Sequence, residues 1–197
     1  LLIGEAAHVA LLRGLADDRL GRVVEVRTAH DLVGVDALVM PGGESTTMSK
    51  LLTSSGLFDP LAERIADGMP VFGTCAGLIL LADRVVDGRP DQRTFAALDV
   101  TVQRNGYGRQ LQSFEADLDE FDPPLHGIFI RAPRIFECGP SVEVLARHAD
   151  EAVLVRQGNV LAATFHPELT ADARLHTVFV DVVAASRSTP LTKATDV

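Results

Sequence analysis

Cys75 is the residue of this sequence best placed to act as a nucleophile. It is the centre of Gly73-Thr74-Cys75-Ala76-Gly77, between the apolar residues 69–72 and the apolar residues 78–81. This pattern predicts a strand, a sharp turn and a helix, with the thiol at the apex of the turn. A helix N-terminus favours a thiolate, so the pattern predicts a nucleophilic cysteine. A small cysteine packed in a strand-to-helix turn is the alternative.

His166 is the residue best placed to exchange a proton with that thiol. It stands in Thr164-Phe165-His166-Pro167-Glu168, where Pro167 favours an extended backbone at His166. Residues two apart in an extended chain point the same way, so Glu168 could accept a hydrogen bond from one ring nitrogen. The other nitrogen would then face the thiol, which gives nucleophile, base and orienting carboxylate. A turn with a surface carboxylate is the alternative.

No other histidine stands in a His-Pro-Glu arrangement, and the remaining histidines are expected to be structural or solvated. They are His8, His30, His126, His148 and His176. Cys138, in a Gly-Pro turn context, is expected to be incidental.

The elements that must position these groups follow from the apolar periodicity. Short β-type runs alternate with helical patterns in the first half, which is typical of an α/β fold, and strands dominate the second half. Helices are predicted over residues 9–18, from a cap at Ser45 or Thr46 to 52, and over 61–66, 76–82 and 173–185. Strands are predicted at residues 1–3, 23–26, 37–40, 71–72, 100–103, 113–116 and 128–130, followed by a hairpin of 153–156 with 160–163. We expect one domain over residues 1–185 and a flexible tail over 186–197.

Composition narrows the class of protein. The 197 residues are 47% hydrophobic, and 18 Lys and Arg against 27 Asp and Glu give a net charge of −9. This balance argues against a nucleic-acid surface. No apolar run approaches the roughly 18 residues that a membrane span needs, and no secretory signal pattern is present. Two cysteines form no disulfide framework, so a cytoplasmic location is expected.

No ligand set or nucleotide-binding motif stands out in the chain. Neither a phosphate-binding loop nor a dinucleotide fingerprint occurs, and no His, Cys, Asp and Glu residues have metal-ligand spacing. We therefore expect no metal and no cofactor.

The two motifs together resemble the class I glutamine amidotransferases, whose triad is Cys, His and Glu in that order. Three further stretches resemble one branch, the glutaminase subunits of pyridoxal 5′-phosphate synthase, and the similarity runs from about residue 4 to 183. These stretches are Pro41-Gly42-Gly43-Glu44-Ser45-Thr46-Thr47, then Arg104-Asn105-Gly106-Tyr107-Gly108-Arg109-Gln110 with Ser113-Phe114-Glu115, and Phe129-Ile130-Arg131-Ala132-Pro133.

The resemblance implies a fold and a reaction. The fold would be a three-layer α/β sandwich with a mixed, mostly parallel sheet. Cys75 would attack the side-chain amide carbon of L-glutamine, His166 would transfer protons and Glu168 would orient His166. Backbone amides of Gly43 and Ala76 would form the oxyanion hole.

The resemblance also implies a binding site and a partner. Glutamine-binding positions of the family match Gly43, Glu44, Ser45, Arg104, Ile130 and Arg131. An arginine suits the α-carboxylate of glutamine because it can form a bidentate pair. Ammonia would pass to a PdxS-like synthase subunit in a hetero-oligomer, and family members gain most of their glutaminase activity in that complex. Neither nucleic acid nor membrane is an expected partner.

Three rival functions stay open at this point. One is a glutaminase of another pathway, against which the Gly-Arg-Gln and Ile-Arg-Ala-Pro stretches argue. Another is a cysteine hydrolase acting on other γ-glutamyl or small amide substrates. The third is a catalytically silent assembly subunit, which the complete Cys75, His166 and Glu168 set disfavours. This third function stays open because residues 1–8 match the family's Leu-Gln-Gly-like loop only loosely, with Ile3 where Gln is expected.

Overall fold

The computed structural model describes residues 5–15, 21–106 and 113–188. The strand predicted at residues 1–3 and part of the Arg104-to-Gln110 stretch, residues 107–110, lie outside these ranges. The helices are α1 (Glu5–Gly14), α2 (Ser45–Ser54), α3 (Phe58–Ala66), α4 (Ala76–Leu81) and α5 (Arg174–Ser188), with a 3₁₀ helix at Pro167–Leu169. The strands are β1 (Leu38–Met40), β2 (Val71–Thr74), β3 (Ala82–Val85), β4 (Leu98–Gln103), β5 (Ser113–Leu118), β6 (Leu125–Ile130), β7 (Arg134–Cys138), β8 (Glu143–His148), β9 (Glu151–Gln157) and β10 (Val160–Ala163).

The main sheet has five described strands in the order β1-β2-β10-β9-β8. Strands β1, β2 and β10 run parallel, whereas β9 pairs antiparallel with both β10 and β8. Two-residue turns join β8 to β9 and β9 to β10, and such turns can connect only antiparallel strands. The mixed α/β prediction is therefore confirmed, with parallel pairing in this sheet confined to the three strands around β2.

Side chains alternate between two apolar cores, one on each face of the main sheet. Val71 and Ala162 face the core that contains α2, α3 and α4, and their neighbours Phe72 and Leu161 face the core that contains α5. This alternation is the period-two pattern of strands covered on both faces. It produces the expected three layers.

Two smaller sheets complete the described part of the fold. Strands β3, β4 and β7 form one sheet, and β5 pairs antiparallel with β6 in the other. Within the described ranges, none of the helices combines the length and apolar character needed to cross a bilayer.

The start of α2 differs from the sequence prediction. The cap is Glu44, whose carboxylate accepts hydrogen bonds from the backbone amides of Thr46 at 3.0 Å and Thr47 at 2.7 Å. Ser45 is already the first helical residue. Glutamate replaces the predicted Ser or Thr cap because its longer side chain reaches both free amides of the first turn.

Three other local predictions differ from the structure. Residues 23–26 form no strand, because no described strand lies beside them to complete a hydrogen-bonded ladder. Helix α5 continues to Ser188, past the predicted start of the tail at residue 186. Cys138 is the last residue of β7, paired with Val100, and does not lie in a turn.

Gly77 brings α4 into direct contact with the sheet. A Cβ atom at this position would lie 2.0 Å from the carbonyl oxygen of Met40. Gly73 is similarly enclosed, since its Cβ would lie 2.8 Å from the carbonyl carbon of Gly77. The two glycines of the cysteine motif are therefore required by packing between β1, β2 and α4.

We expect Gly77→Ala to lower the free energy of unfolding by about 3 kcal/mol, because the rigid backbone of β1 must move to admit the methyl group. Urea unfolding followed by circular dichroism measures this change. Gly14→Ala is the matched control, since no atom lies within 4 Å of its added Cβ, and it should be neutral or slightly stabilising. Equal stability of G77A and G14A would contradict the packing argument.

Candidate active site

Cys75 occupies the turn between β2 and α4. Its backbone has φ 50° and ψ −105°, a strained conformation for a residue other than glycine. The amide of Cys75 donates to the carbonyl of Ala163 at 2.9 Å, which ties the turn to the end of β10. The side chain is only 7% exposed, and its sulfur lies 4.0 Å from the carbonyl oxygen of Ile130. The predicted strand, turn and helix are thus present.

His166 follows β10 and is held over the same sheet edge. Its backbone amide donates to the carbonyl of Ile128 at 2.8 Å. Its Nδ1 lies 2.8 Å from Oε1 of Glu168, and both side chains are buried. His166 has φ −110° and ψ 82°, and Pro167 begins a 3₁₀ helix, so the approach of His166 and Glu168 comes from a tight turn and not from a continuous extended strand.

The charge on His166 is set by its two neighbours. Burial alone would lower its pKa, but hydrogen bonds with Cys75 and Glu168, together with their negative charge, raise the pKa to about 9. An imidazolium between a sulfur and a carboxylate is therefore the favoured form at neutral pH. This arrangement supplies a proton donor beside the sulfur of Cys75.

The turn after β1 passes directly against the imidazole of His166. A Cβ on Gly42 would lie 2.4 Å from Cε1 of His166, so only glycine fits. This contact places the 42–43 turn beside His166. The amide of Ala76 belongs to the first residue of α4, and the first amides of a helix have no acceptor within the helix. A backbone donor is thus available at Ala76, next to Cys75.

Glu44 and Arg104 join two of the predicted binding stretches. An Nη2 of Arg104, at the end of β4, donates to Oε1 of Glu44 at 2.7 Å. Partial burial would raise the pKa of Glu44, but hydrogen bonds from Thr47 and Thr46 lower it to about 2. Glu44 is therefore negatively charged, and it fixes the guanidinium of Arg104 while capping α2.

The other predicted binding residues occupy different environments. Gly43 is half-buried, and Ser45 is buried with a hydroxyl that finds no partner among the described residues. Ile130 ends β6 with its carbonyl near Cys75. Arg131 follows in a left-handed conformation with φ 44° and is exposed. None of the described residues forms a cluster of three His, Cys, Asp or Glu side chains suited to a metal.

Sequence reasoning missed two histidines next to Glu168. Nε2 of His8 lies 3.3 Å from Oε2 of Glu168 and 3.1 Å from Oγ1 of Thr74, and Nδ1 of His8 lies 2.9 Å from Nε2 of His176. The carboxylate beside His8 is distant in the sequence, so a search limited to residues two positions away does not find it. The available signal was that each lies on the apolar face of its helix, four residues before Leu12 and Val180 respectively.

Comparison with known proteins identifies relatives across most of the chain. A model of the SNO glutamine amidotransferase family matches residues 5–185. "Pyridoxal 5′-phosphate synthase subunit PdxT" of Acidothermus cellulolyticus is 56% identical over 186 residues, covering 90% of this chain and 88% of the relative. The protein of the same name from Frankia alni is 55% identical over 179 residues and covers 89% of each chain.

Solved structures support the same fold. A crystal structure described as a glutamine amidotransferase superposes with a TM-score of 0.82 at 46% identity, covering 90% of this chain and 93% of the other. A Thermoplasma acidophilum protein described as a GMP synthase subunit has a TM-score of 0.59 at 18% identity, covering 92% of this chain and 88% of the other, which indicates a shared fold only.

We expect acid to destabilise the fold through His176. Burial, and then the nearby His8, lower the pKa of His176 to about 4 from 6.5. The unfolded chain therefore binds a proton that the folded chain does not, and the resulting stability is present above pH 6.5 and lost as pH falls through about 4. The loss would be about 3 kcal/mol.

Urea unfolding at pH 7, 5.5 and 4 measures this loss. His176→Gln cannot titrate and should lose less stability on acidification than the unsubstituted protein. His126→Gln is the control, because His126 is exposed and the hydrogen bonds that it donates to Asp117 and Glu115 raise its pKa. An identical loss in H176Q and the unsubstituted protein would show that His176 is not its source.

Proposed function

The chain belongs to the SNO glutamine amidotransferase family, and we propose that it hydrolyses L-glutamine to L-glutamate and ammonia through Cys75, His166 and Glu168. The observation that carries this proposal is the buried pair of His166 and Glu168, with Nδ1 and Oε1 2.8 Å apart and the pKa of His166 raised by its neighbours Cys75 and Glu168. A nucleophile, a proton carrier and an orienting group are the parts that acyl transfer from an amide needs.

The proposed reaction has two halves. The sulfur of Cys75 forms a bond with the amide carbon of glutamine, and the carbonyl oxygen becomes an oxyanion. His166 then donates its proton to the amide nitrogen, the carbon–nitrogen bond breaks and ammonia leaves a glutamyl thioester. In the second half His166 takes a proton from water, which attacks the thioester, and glutamate and the thiolate are released with His166 reprotonated.

The oxyanion requires donors that are already in place. We assign this role to the amide of Ala76, at the start of α4, and to the amide of Gly43 in the turn beside His166. Loss of one such donor typically lowers the rate by about 10²–10³-fold. The close contact between Gly42 and His166 supports this placement, because it fixes the turn against the triad.

In this proposal, Arg104 binds the α-carboxylate of glutamine. Its side chain is 19% exposed, and Glu44 holds it next to the 43–45 turn. Ser45 and the loop from Ile130 to Arg131 border the same sheet edge as Cys75. The unpartnered Ser45 hydroxyl supports a ligand contact there.

The destination of the ammonia is proposed from the relatives. They are named as subunits of pyridoxal 5′-phosphate synthase, and we propose that this chain likewise delivers ammonia to a PdxS-like synthase subunit for pyridoxal 5′-phosphate biosynthesis. Ammonia released into water at neutral pH becomes protonated and loses its nucleophilicity, so direct transfer within a complex is favoured. Two free cysteines agree with the reducing cytoplasm as its location.

We expect Cys75→Ala to abolish glutamate release, with a loss of at least about 10⁴-fold, because the sulfur is the attacking atom. The assay measures glutamate from glutamine with and without the PdxS-like subunit of the same organism, and turnover of the unsubstituted protein should rise sharply with that subunit. Cys138→Ala is the control and should be unaffected. Retention of turnover by C75A would remove Cys75 as the nucleophile.

Delivery of ammonia is tested separately in the complex. Glutamine labelled with ¹⁵N in its side-chain amide is supplied with excess unlabelled ammonium. Retention of the label in pyridoxal 5′-phosphate supports direct transfer, whereas complete dilution of the label shows release into bulk solvent.

We expect Arg104→Gln to raise the KM for glutamine by roughly 10- to 100-fold, because a charge-assisted hydrogen bond to the α-carboxylate is lost. Steady-state kinetics in the complex measure this change. Arg84→Gln is the matched control, since Arg84 is 56% exposed and pairs with Asp83 and Glu137 away from the triad. An unchanged KM in R104Q would assign carboxylate binding to another residue.

A further inference from the structure

Two buried histidines continue the line of polar contacts beyond Glu168. His8, from α1, is 2% exposed, and His176, from α5, is fully buried. Counting from the nucleophile, the groups in contact are Cys75, His166, Glu168, His8 and His176. The last two are 168 residues apart in the sequence, and neither has a role in the reaction described above.

The distances determine which nitrogen of His8 carries the proton. Nε2 faces the Glu168 carboxylate at 3.3 Å and the Thr74 hydroxyl at 3.1 Å. A bare lone pair at Nε2 would repel the carboxylate, so the Nε2–H form is favoured. Nδ1 of His8 must then accept, and it does so from Nε2–H of His176 at 2.9 Å.

Both imidazoles are neutral in this arrangement. Burial lowers the pKa of His8, against the raising effect of Glu168, and the pKa of His176 is lowered to about 4. Each ring therefore directs one N–H toward the carboxylate and one lone pair away from it. This leaves Nδ1 of His176 as a lone pair, and that atom has no partner among the described residues.

The carboxylate of Glu168 depends on these contacts. Its side chain has no exposed surface, and a buried charge without partners is strongly disfavoured. Oε1 is bound by His166, whereas Oε2 has only the approach of His8 and forms no regular hydrogen bond within the described part of the chain. Without His8, Oε2 would lose its nearest polar neighbour, and rotation of the carboxylate away from His166 would become less costly.

We propose that His8, supported by His176, is a positioning residue that holds the Glu168 carboxylate in the orientation needed to bind His166. The inference rests on the proposed function, in which Glu168 orients His166. It makes α1 part of the catalytic apparatus, because His8 links the end of β2, at Thr74, to the 3₁₀ helix that carries Glu168.

Substitution of His8 by residues of similar size tests the role. His8→Leu removes both nitrogens and should lower kcat of the complex by roughly 10- to 100-fold with the KM for glutamine within about two-fold. His8→Gln retains an amide donor and an acceptor at a similar spacing, and it should recover most of the kcat. His126→Gln, at an exposed histidine, is the control for loss of an imidazole and should match the unsubstituted protein.

A double-mutant cycle identifies the group through which His8 acts. In a Glu168→Gln background, His8→Leu should have little further effect on kcat, because the carboxylate that it positions is absent. An equal fold-loss in both backgrounds, or a kcat of H8L equal to that of the unsubstituted protein, would overturn the proposal.

The stability of each variant separates positioning from folding. Urea unfolding should show H8L folded under assay conditions. If H8L is unfolded, His176→Phe takes its place, with an expected several-fold loss of kcat that again disappears in the Glu168→Gln background; an undiminished kcat in H176F overturns the proposal. Failure of the unsubstituted complex to release glutamate would instead overturn the proposed function, and with it this inference.

Discussion

Burial of the Glu168 carboxylate is the constraint on which the rest of the site depends. A negative charge with no exposed surface requires partners, and the fold supplies them as imidazoles from two directions. His166 approaches from the end of β10 and His8 from α1. The carboxylate keeps both neighbours only when both elements are packed, so the packing of α1 is coupled to the orientation of Glu168.

Close packing around the turn at Cys75 also holds the site together. Gly42 admits the ring of His166, and Gly77 admits the backbone of Met40, each at a distance that a methyl group would prevent. These contacts bring the carboxyl ends of β1, β2 and β10 together, where parallel strands place their catalytic groups. The strained backbone of Cys75 is held by the hydrogen bond that its amide donates to the carbonyl of Ala163, at the end of β10.

The sequence predicts those parts of the site whose residues lie close together along the chain. The two glycines around Cys75 predict the sharp turn between strand and helix, and the spacing of two residues predicts the pairing of His166 with Glu168. The contact between His8 and His176 could not be predicted, because it arises only when helices from opposite ends of the sequence pack on one face of the sheet. The prediction of a strand at residues 23–26 is wrong for a related reason. Residues of β type form a strand only where a neighbouring strand completes the hydrogen-bonded ladder.

Glu44 illustrates why a family signature does not by itself separate binding residues from structural ones. Its carboxylate accepts hydrogen bonds both from backbone amides in the first turn of α2 and from the guanidinium of Arg104. The helix start, the strand end and the turn beside His166 therefore share one charged group. A substitution at Glu44 would displace Arg104 and uncap α2 together, so kinetic change alone could not assign it a contact with glutamine. Arg104, which does not cap a helix, is the residue at which binding and architecture can be separated.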